Sequence, residues 1–271
     1  MKLGIGSYSY AWSIGVPGSQ PEKPMDAFSL INAAKEHHIQ LVQIADNLPL
    51  HSLSQKERRK IYQFATDSGI ELEVGTRGIK PENLKQYLEI AQELHSSILR
   101  VVIDSPDHKP DPKEVIDILA NHISKFEAAD VVLAIENHDR FKCRTLIDIL
   151  KTLNTPYIGI CLDTVNSYAA QESTEHIVSE LGPFTVNLHI KDYTIERIPS
   201  NMGLLTRGTP AGQGMLNIPW LFDQLINKMD RQFNSILELW MPPEQNINET
   251  IQKENDWVNQ SISYLRNIIH Q

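Results

Sequence analysis

The sequence predicts a single (β/α)8 barrel that spans residues 1–271. Short runs rich in Val, Ile and Leu alternate with stretches that carry apolar residues at three- and four-residue intervals, which is typical of helices with one buried face. Strict alternation of strands and helices implies parallel strands. Eight such units fit the usual size of this barrel, about 250 residues. With 41% hydrophobic residues, the chain is able to bury one large core.

The predicted strands read, in chain order, "KLGIGSY", "IQLVQIAD", "IELEVGT", "SILRVVID", "VVLAIENH", "YIGICLD", "FTVNLHI" and "NSILELW". The predicted helices are "MDAFSLINAAKEHH", "SQKERRKIYQFATDS", "PENLKQYLEIAQELH", "PKEVIDILANHISKFEAA", "RTLIDILKTL", "STEHIVSEL", "LNIPWLFDQLINKM" and "ETIQKENDWVNQSISYLRNII". Ser54 and Pro81 stand where helix starts favour them, as an N-cap and as a first-turn proline.

A doubly wound sheet is the alternative architecture. Its dinucleotide-binding form carries G-x-G-x-x-G after the first strand, whereas here "GIGSYSYAW" leads into a long segment that ends at Pro24. The sequence contains no linker, low-complexity tract or short internal repeat. We therefore expect one barrel domain.

Charge and cysteine content narrow the classes of partner. The formal net charge is −9 and no long run of Lys or Arg occurs, which argues against nucleic acid as a partner. Cys143 and Cys161 form neither a disulfide framework nor a metal pair, as expected for reduced thiols. The longest uncharged stretch, residues 3–21, is interrupted by Gly, Ser and Pro. We expect neither a secretory signal nor a membrane span, and hence a cytoplasmic protein.

Polar side chains concentrate at the carboxyl ends of the predicted strands, which is where such barrels place their active sites. In chain order these residues are Gln43, Asp46, Asn47, Arg77, Arg100, Asp104, Glu136, His138, Asp163, Asn166, His189, Lys191 and Glu238. A chance distribution would scatter these groups over both ends of the barrel.

Four of these residues, Glu136, Asp163, His189 and Glu238, come from successive strands. Three carboxylates and one imidazole at one side of the mouth would repel one another unless a cation lay between them. This donor set favours Mn²⁺ or Mg²⁺, with Co²⁺ and Zn²⁺ as alternatives. The spacing also fits a salt-bridged network.

Several segments resemble the xylose isomerase-like barrel superfamily in its sugar phosphate isomerase and epimerase branch. They are "IENHD", "ICLDTVN", "LHIKD", "AGQGMLNIPW" and "ILELW", which occur in the order of the family's motifs. The resemblance implies that Glu136, Asp163, His189 and Glu238 hold one divalent ion. It also implies that Glu136 and Glu238 are catalytic and move protons on opposite faces of a bound sugar.

One position departs from this pattern. Many relatives have a histidine three residues after the strand-six aspartate, and this chain has Asn166. Asparagine is able to hydrogen-bond a sugar hydroxyl, but it does not transfer a proton near neutral pH. Simple ketose epimerisation is therefore less well supported.

Two reactions would use such a site. A divalent ion that binds a carbonyl and its neighbouring hydroxyl stabilises an enediolate, which serves isomerisation and epimerisation of a sugar or sugar phosphate. The same enediolate arises when a 3-oxo sugar acid loses carbon dioxide. Such a substrate needs a cation for its carboxylate, and Arg77 in "EVGTRGI" is the candidate. The "GTRGI", "RVVID", "IENHDRF" and "DTVNS" segments also resemble the oxo-sugar-acid decarboxylases of branched-sugar catabolism.

Further substrate contacts are predicted, each with a structural alternative. Lys191 is a candidate for a substrate oxygen or a salt bridge, and His138 for a substrate contact or for orienting Glu136. Arg207 is expected on a loop over the mouth. Trp12 is expected either as an apolar wall against a sugar or as core.

We expect a metal-dependent enzyme that acts on a small sugar or sugar acid, with isomerase or epimerase chemistry first and decarboxylation second. A zinc endonuclease for damaged DNA shares the superfamily, but it would favour more metal histidines and a basic groove. A sugar-binding barrel without turnover is a third class. The sequence leaves open a homo-oligomer, and it predicts neither a nucleic-acid nor a membrane partner.

Overall fold

The computed structural model describes residues 1–228 and 232–269. Eight parallel strands close into a barrel in the order β1-β10-β7-β6-β5-β4-β3-β2, and two antiparallel strands, β8 and β9, form a separate hairpin. The strands are β1 (Leu3–Gly6), β2 (Leu41–Ile44), β3 (Glu71–Arg77), β4 (Ile98–Val102), β5 (Val132–Glu136), β6 (Ile158–Asp163), β7 (Thr185–Ile190), β8 (Asp192–Arg197), β9 (Leu204–Thr209) and β10 (Asn234–Leu237). The predicted (β/α)8 barrel is confirmed.

The α-helices cover the outside of the barrel. They are α1 (Ala11–Ile14), α2 (Ala27–Glu36), α3 (Gln55–Asp67), α4 (Pro81–Glu93), α5 (Pro112–Ala120), α6 (Ile123–Ala129), α7 (Cys143–Leu153), α8 (Thr174–Leu181), α9 (Ile218–Lys228) and α10 (Ile247–Arg266). Short 3-10 helices lie at Ser7–Tyr10, Leu50–Ser52, Asn166–Ala170 and Gly182–Phe184. Met229, the last residue of the predicted helix "LNIPWLFDQLINKM", lies outside the described residues.

The predicted helix starts are present. Ser54 and Glu57 form a capping box at the start of α3, and Pro81 occupies the first turn of α4. One predicted helix is divided into α5 and α6. There the Asn121 amide donates to the carbonyl of Asp117, and the His122 ring bonds that of Ile118. The His122 backbone N–H bonds the Leu119 carbonyl, so the His122 ring takes the Ile118 carbonyl that a continuing helix would bond through that N–H.

Side-chain alternation along the strands separates two environments. Val42, Val74 and Leu99 belong to the apolar cluster between strands and helices. Gln43, Glu73 and Arg100, each next to one of these residues, are also buried but polar. Because successive side chains of a strand point to opposite faces, the polar set fills the barrel interior. The interior below the mouth is therefore a hydrogen-bonded polar layer.

Two findings bear on the composition-based expectations. Cys143 and Cys161 are both buried free thiols, as expected. Within the part of the chain that the structure describes, no helix combines the length and apolar character that a membrane crossing requires. The assignment of residues 1–271 to one domain stays a prediction.

Candidate metal centre and substrate cavity

The barrel brings the four predicted metal ligands together. Glu136 ends β5, Asp163 ends β6, His189 lies in β7 and Glu238 directly follows β10. The Nδ1 atom of His189 lies 3.5 Å from Glu136 Oε2, 3.8 Å from Asp163 Oδ2 and 3.4 Å from Glu238 Oε2. The side chains of all four are fully buried. The predicted constellation is thus a compact cluster at the carboxyl end of the barrel.

Several ligand atoms in this cluster lack a hydrogen bond. Among the described residues, Asp163 Oδ2, His189 Nδ1 and both carboxylate oxygens of Glu238 have no hydrogen-bond partner. Buried polar atoms are nearly always paired, so these facing atoms require an explanation. The Lys191 ammonium accounts for two of them, Asp163 Oδ2 and Glu238 Oε2, and leaves His189 Nδ1 and Glu238 Oε1. Three of these residues, Asp163, His189 and Glu238, form a group whose ligand atoms lie within 4.8 Å of one another. The arrangement fits a divalent cation.

Hydrogen bonds orient two of the predicted metal ligands, His189 and Asp163. His189 Nε2 lies 2.7 Å from Gln43 Oε1, an acceptor, so Nε2 carries a proton and Nδ1 is the nitrogen that faces the carboxylates and would bind a metal. Burial lowers the pKa of His189, but Glu238 and Glu136 outweigh burial and raise it. Asp163 Oδ1 accepts from the backbone N–H groups of Val165 and Asn166, both at 2.9 Å. This leaves Asp163 Oδ2 directed at the centre.

Glu136 is paired on both of its oxygens. The buried Arg100 guanidinium donates its Nε hydrogen to Oε2, and Asn166 Nδ2 donates to Oε1 at 2.6 Å. Burial by itself raises the pKa of Glu136, but Arg100, His189 and Lys191 outweigh it and lower that pKa to about 2. Arg100 also contacts Asp46 Oδ1 at 3.0 Å. Glu136 is therefore held as a carboxylate.

Lys191 supplies a second buried cation. Its Nζ lies 2.7 Å from Asp163 Oδ2 and 2.8 Å from Glu238 Oε2, without the angles of a hydrogen bond. Burial lowers the pKa of Lys191, but Asp163 and Glu238 outweigh burial and raise it. For Glu238, burial raises the pKa, while His189 and Lys191 hold it well below the usual range. The side-chain geometry thus concentrates charge of both signs at the barrel mouth.

A cavity of about 280 Å³ opens above this cluster. Its lining residues are Tyr8, Arg77, Arg100, Glu136, His138, Asp139, Asn166, Lys191 and Trp240. The predicted substrate contacts Arg77, His138, Asn166 and Lys191 are among them. A cavity of this size suits a small molecule with several hydroxyl groups.

Arg77 is the least engaged cation of this cavity. Its Nε lies 3.4 Å from Asp46 Oδ2, and its Nη2 lies 3.4 Å from His138 Nε2. The side chain is 31% exposed. His138 Nδ1 lies 3.0 Å from the Asp139 carboxylate, so Nδ1 carries the ring proton and Nε2 accepts from Arg77. The long contacts leave the guanidinium available for an anionic ligand.

Two predicted substrate contacts lie elsewhere. Arg207 is on β9, in the hairpin rather than in a loop, and its side chain is exposed outside the cavity lining. Trp12 lies outside the lining as well, and its indole N–H donates to the carbonyl of Met241 at 2.8 Å. The geometry does not support a substrate contact for either residue, and both assignments stay predictions. The hairpin forms because residues 192–209 pair with each other rather than with the barrel.

Four lining residues were not predicted as substrate contacts, namely Tyr8, Arg100, Asp139 and Trp240. Trp240 had a usable signal, because it lies two residues after Glu238 and an extended chain directs such pairs to one side. Lys191 Nζ lies 5.7 Å from the centroid of the Trp240 ring. Arg100 was recognised as a strand-end residue, but its partner could not be identified from spacing.

Comparison with known proteins agrees with the fold. A family model described as xylose isomerase-like TIM barrel matches residues 21–268. The chain is 31% identical to the 3-oxo-isoapionate decarboxylase of Pectobacterium atrosepticum, over 98% of this chain and 95% of the relative.

Solved structures show the same architecture. A D-psicose 3-epimerase, determined in the presence of D-fructose, superimposes with a TM-score of 0.75 at 16% identity over 100% of both chains. A xylose isomerase-like protein from Mycobacterium smegmatis, in complex with magnesium, gives a TM-score of 0.70 at 13% identity over 97% of each chain. At such low identities these similarities show the fold alone. On the family-model match, this chain belongs to the xylose isomerase-like TIM barrel family.

Proposed function

We propose that this protein is a divalent-metal-dependent decarboxylase of a 3-oxo sugar acid. The sequence alone placed isomerase or epimerase chemistry first. Two observations favour decarboxylation over isomerisation or epimerisation. The first is the pairing of Glu136, and the second is the nearly full-length relative named as a 3-oxo acid decarboxylase.

The pairing of Glu136 carries the proposal. A general base works best with a pKa near the operating pH and with a free oxygen toward the proton it removes. Glu136 accepts from Arg100 on one oxygen and from Asn166 on the other, and its pKa is about 2. Such a carboxylate suits a metal ligand better than a base. Epimerisation and isomerisation through an enediolate begin with proton removal from carbon, whereas decarboxylation does not.

Arg77 would bind the carboxylate that leaves. A guanidinium presents parallel N–H groups that match a carboxylate, and its present contacts at 3.4 Å are long enough to be exchanged. The hydrogen bond from Arg77 Nη2 to His138 Nε2 would keep the Arg77 guanidinium directed into the cavity. Arg77 would therefore select an acid over a neutral sugar and orient the bond that breaks.

The reaction balances without an added base. The bond between the carboxylate carbon and the neighbouring carbon breaks, its electron pair forms the enolate of the 3-oxo group, and carbon dioxide leaves. A proton then adds to the carbon that lost the carboxylate. A bound divalent cation would supply positive charge for the enolate oxygen. Glu136, Asp163, His189 and Glu238 would hold this cation, and the Lys191 ammonium would add charge beside it.

The donor set also bears on the choice of metal. Three carboxylates and one imidazole suit an oxygen-preferring ion, so we propose Mn²⁺ or Mg²⁺, with Co²⁺ and Zn²⁺ as alternatives. Cytoplasmic location, the option of a homo-oligomer, and the absence of nucleic-acid and membrane partners stay predictions.

A ketose isomerase or epimerase is the second candidate, and Glu238 is the observation that favours it. Both oxygens of Glu238 lack hydrogen-bond partners in the described structure. Glu238 Oε2 lies 3.4 Å from His189 Nδ1, the same ring nitrogen that lies 3.5 Å from Glu136 Oε2. Lys191 Nζ lies 2.8 Å from Glu238 Oε2, so Oε1 is the oxygen that would be available for proton transfer. His189 and Lys191 hold the pKa of Glu238 well below its usual range, which counts against it as a base just as for Glu136.

The deciding experiment incubates metal-loaded protein in deuterium oxide with 3-oxo sugar acids and, separately, with ketoses. Carbon dioxide release and deuterium entry are followed together. The proposal expects carbon dioxide from an acid, one deuterium in its product, and no exchange into ketoses. Metal-dependent exchange into a ketose, without carbon dioxide release from any acid, would establish the second candidate instead. A protein that binds sugars without either reaction would be a binding module.

A further inference from the structure

A series of buried, hydrogen-bonded side chains leads from His189 away from the metal cluster and into the barrel interior. Gln43 Oε1 accepts from His189 Nε2 at 2.7 Å, and Gln43 Nε2 donates to Glu73 Oε2 at 3.0 Å and to Asn187 Oδ1 at 3.0 Å. Asn187 Nδ2 also donates to Glu73 Oε2, at 2.9 Å. Gln43, Asn187 and His189 are fully buried, and Glu73 is 2% exposed.

We infer that Glu73 is a positioning residue for the metal site, because it fixes the orientation of the Gln43 amide and thereby the ring nitrogen that His189 offers to a metal. The inference rests on the metal site proposed above. Glu73 itself touches neither substrate nor any of the four ligands.

The hydrogen bonds that Glu73 accepts determine how the neighbouring amides are oriented. Amide N–H groups occupy both oxygens of Glu73: Gln43 and Asn187 donate to Oε2, and Asn234 donates to Oε1. Burial raises the pKa of Glu73, and these three donors oppose the rise. Each amide that faces Glu73 therefore presents its NH₂ group. Gln43 must then direct its carbonyl oxygen at His189. A carbonyl oxygen accepts, so His189 carries a proton on Nε2, and Nδ1 is the nitrogen that faces the carboxylates. The proton position is thus determined by a residue that His189 does not contact.

The opposite amide orientation shows the effect of losing Glu73. With Gln43 turned over, its NH₂ group would face His189 Nε2 and favour a proton on Nδ1. That proton would occupy the position at which Nδ1 faces Glu136, Asp163 and Glu238. In the native arrangement two contacts oppose this rotation of the Gln43 amide. The rotation would place the Gln43 oxygen against both Glu73 Oε2 and Asn187 Oδ1, which are themselves acceptors.

The network offers a conservative variant. Glu73 Oε2 receives two N–H groups, from Gln43 and Asn187, while Oε1 receives one, from Asn234 Nδ2 at 2.8 Å. In Glu73→Gln, the new amide would place its oxygen at the doubly donated position, because this leaves one donor–donor conflict instead of two. Glu73→Gln should therefore preserve the orientation of Gln43, whereas Glu73→Met should not. Asn234→Ala is the matched control, because it removes a bond to Glu73 without touching Gln43.

The experiment has two readouts. Glu238 and Glu136 raise the pKa of His189, so nitrogen-15 NMR of the metal-free protein is recorded at a pH high enough for the ring to be neutral, where it reports which ring nitrogen carries the proton. Calorimetric titration with Mn²⁺ reports affinity. We expect Nε2–H in the parent, Glu73→Gln and Asn234→Ala, and an Nδ1–H population in Glu73→Met. Loss of a residue that orients a metal ligand typically weakens binding by about ten- to a hundredfold, which we expect for Glu73→Met alone.

The outcomes separate the inference from the proposed function. A Glu73→Met protein with pure Nε2–H and parental affinity for Mn²⁺ would overturn the inference, as would Glu73→Gln behaving like Glu73→Met. If Glu73→Met does not fold, Gln43→Leu carries the test, and unchanged tautomer and affinity there would overturn it equally. A parent that binds no Mn²⁺ contradicts the metal site, while the tautomer of its variants still decides the role of Glu73.

Discussion

The Arg100 guanidinium and the Glu136 carboxylate form a fully buried ion pair at the junction of β4 and β5. Arg100 lies inside the barrel on β4, and Glu136 ends the neighbouring strand. This contact gives the cluster an internal cation and keeps Glu136 ionised. The preference for decarboxylation over isomerisation or epimerisation also depends on this contact.

Removal of Arg100 should destabilise the protein. Arg100→Met leaves the buried Glu136 carboxylate without its closest cation, and breaking a buried pair in this way typically costs about 3–5 kcal/mol of unfolding free energy. Urea unfolding in the presence of a chelator measures the cost. The control is Arg144→Met, whose partner Asp148 is exposed, with an expected change of about 0–1 kcal/mol. Equal effects of the two substitutions would contradict a special role for the buried pair.

Loss of a metal ligand should abolish tight metal binding. Asp163→Ala and His189→Ala each remove from the cluster a buried ligand atom that has no hydrogen bond. Titration with Mn²⁺ and elemental analysis of the purified proteins measure the loss. Asp104→Ala is the control, since Asp104 also follows a barrel strand but pairs with Arg140 at 2.6 Å. Parental affinity in both ligand variants would show that the site is a salt-bridged network.

Arg77→Ala should weaken turnover of a 3-oxo acid. A charge-assisted contact contributes roughly 1.5–3 kcal/mol, so kcat/KM should fall by about ten- to a hundredfold. Carbon dioxide release at a range of substrate concentrations gives this value. Arg144→Ala, on the exposed side of α7, serves as the control and should match the parent. A parental kcat/KM in Arg77→Ala would remove Arg77 from the substrate site.

The two tryptophans should behave differently. Trp240 lines the cavity, so Trp240→Ala should lower kcat/KM by roughly tenfold or more through lost apolar contact with the substrate. Trp12→Phe removes the bond to the Met241 carbonyl and should chiefly lower stability. Steady-state kinetics and thermal unfolding of both variants separate these effects. A larger kinetic effect in Trp12→Phe would restore Trp12 as the apolar wall predicted from sequence.

Glu254 should give stability a pH dependence. Its carboxylate accepts from the N–H groups of Trp12 and Ser13 and from the Ser13 hydroxyl, yet burial dominates and raises its pKa. A raised pKa in the folded state means that the folded protein binds this proton more tightly than the unfolded chain. The corresponding stability is present below the unfolded value of 4.5 and is lost as pH rises through the folded pKa.

Glu254→Gln should remove this dependence. The unfolding free energy of Glu254→Gln, relative to the parent, should therefore increase as pH rises through that window. Urea unfolding at successive pH values measures it, with Glu249→Gln on the exposed face of α10 as the control. A constant difference between Glu254→Gln and the parent would contradict the raised pKa.

The barrel and its ligand cluster were predictable from sequence because both follow from local patterns. The alternation of apolar strands and amphipathic helices predicted parallel strands, and parallel strands of a barrel end on one rim. Glu136, Asp163, His189 and Glu238 lie at or next to the carboxyl ends of neighbouring barrel strands, so their convergence required no knowledge of side-chain conformation. The hairpin of β8 and β9 was missed because its strands pair only with each other and break the alternation.

Contacts across the barrel were decided by the tertiary structure alone. Arg100 meets Glu136, and Glu73 reaches Gln43 and Asn187, through the register and stagger of strands that lie far apart in the sequence. Spacing along the chain identifies the face on which a side chain lies, but not the partner that it meets across the interior. The sequence therefore determined which residues reach the barrel mouth. The folded barrel determined that Glu136 is paired on both oxygens while Arg77 is left available to a ligand.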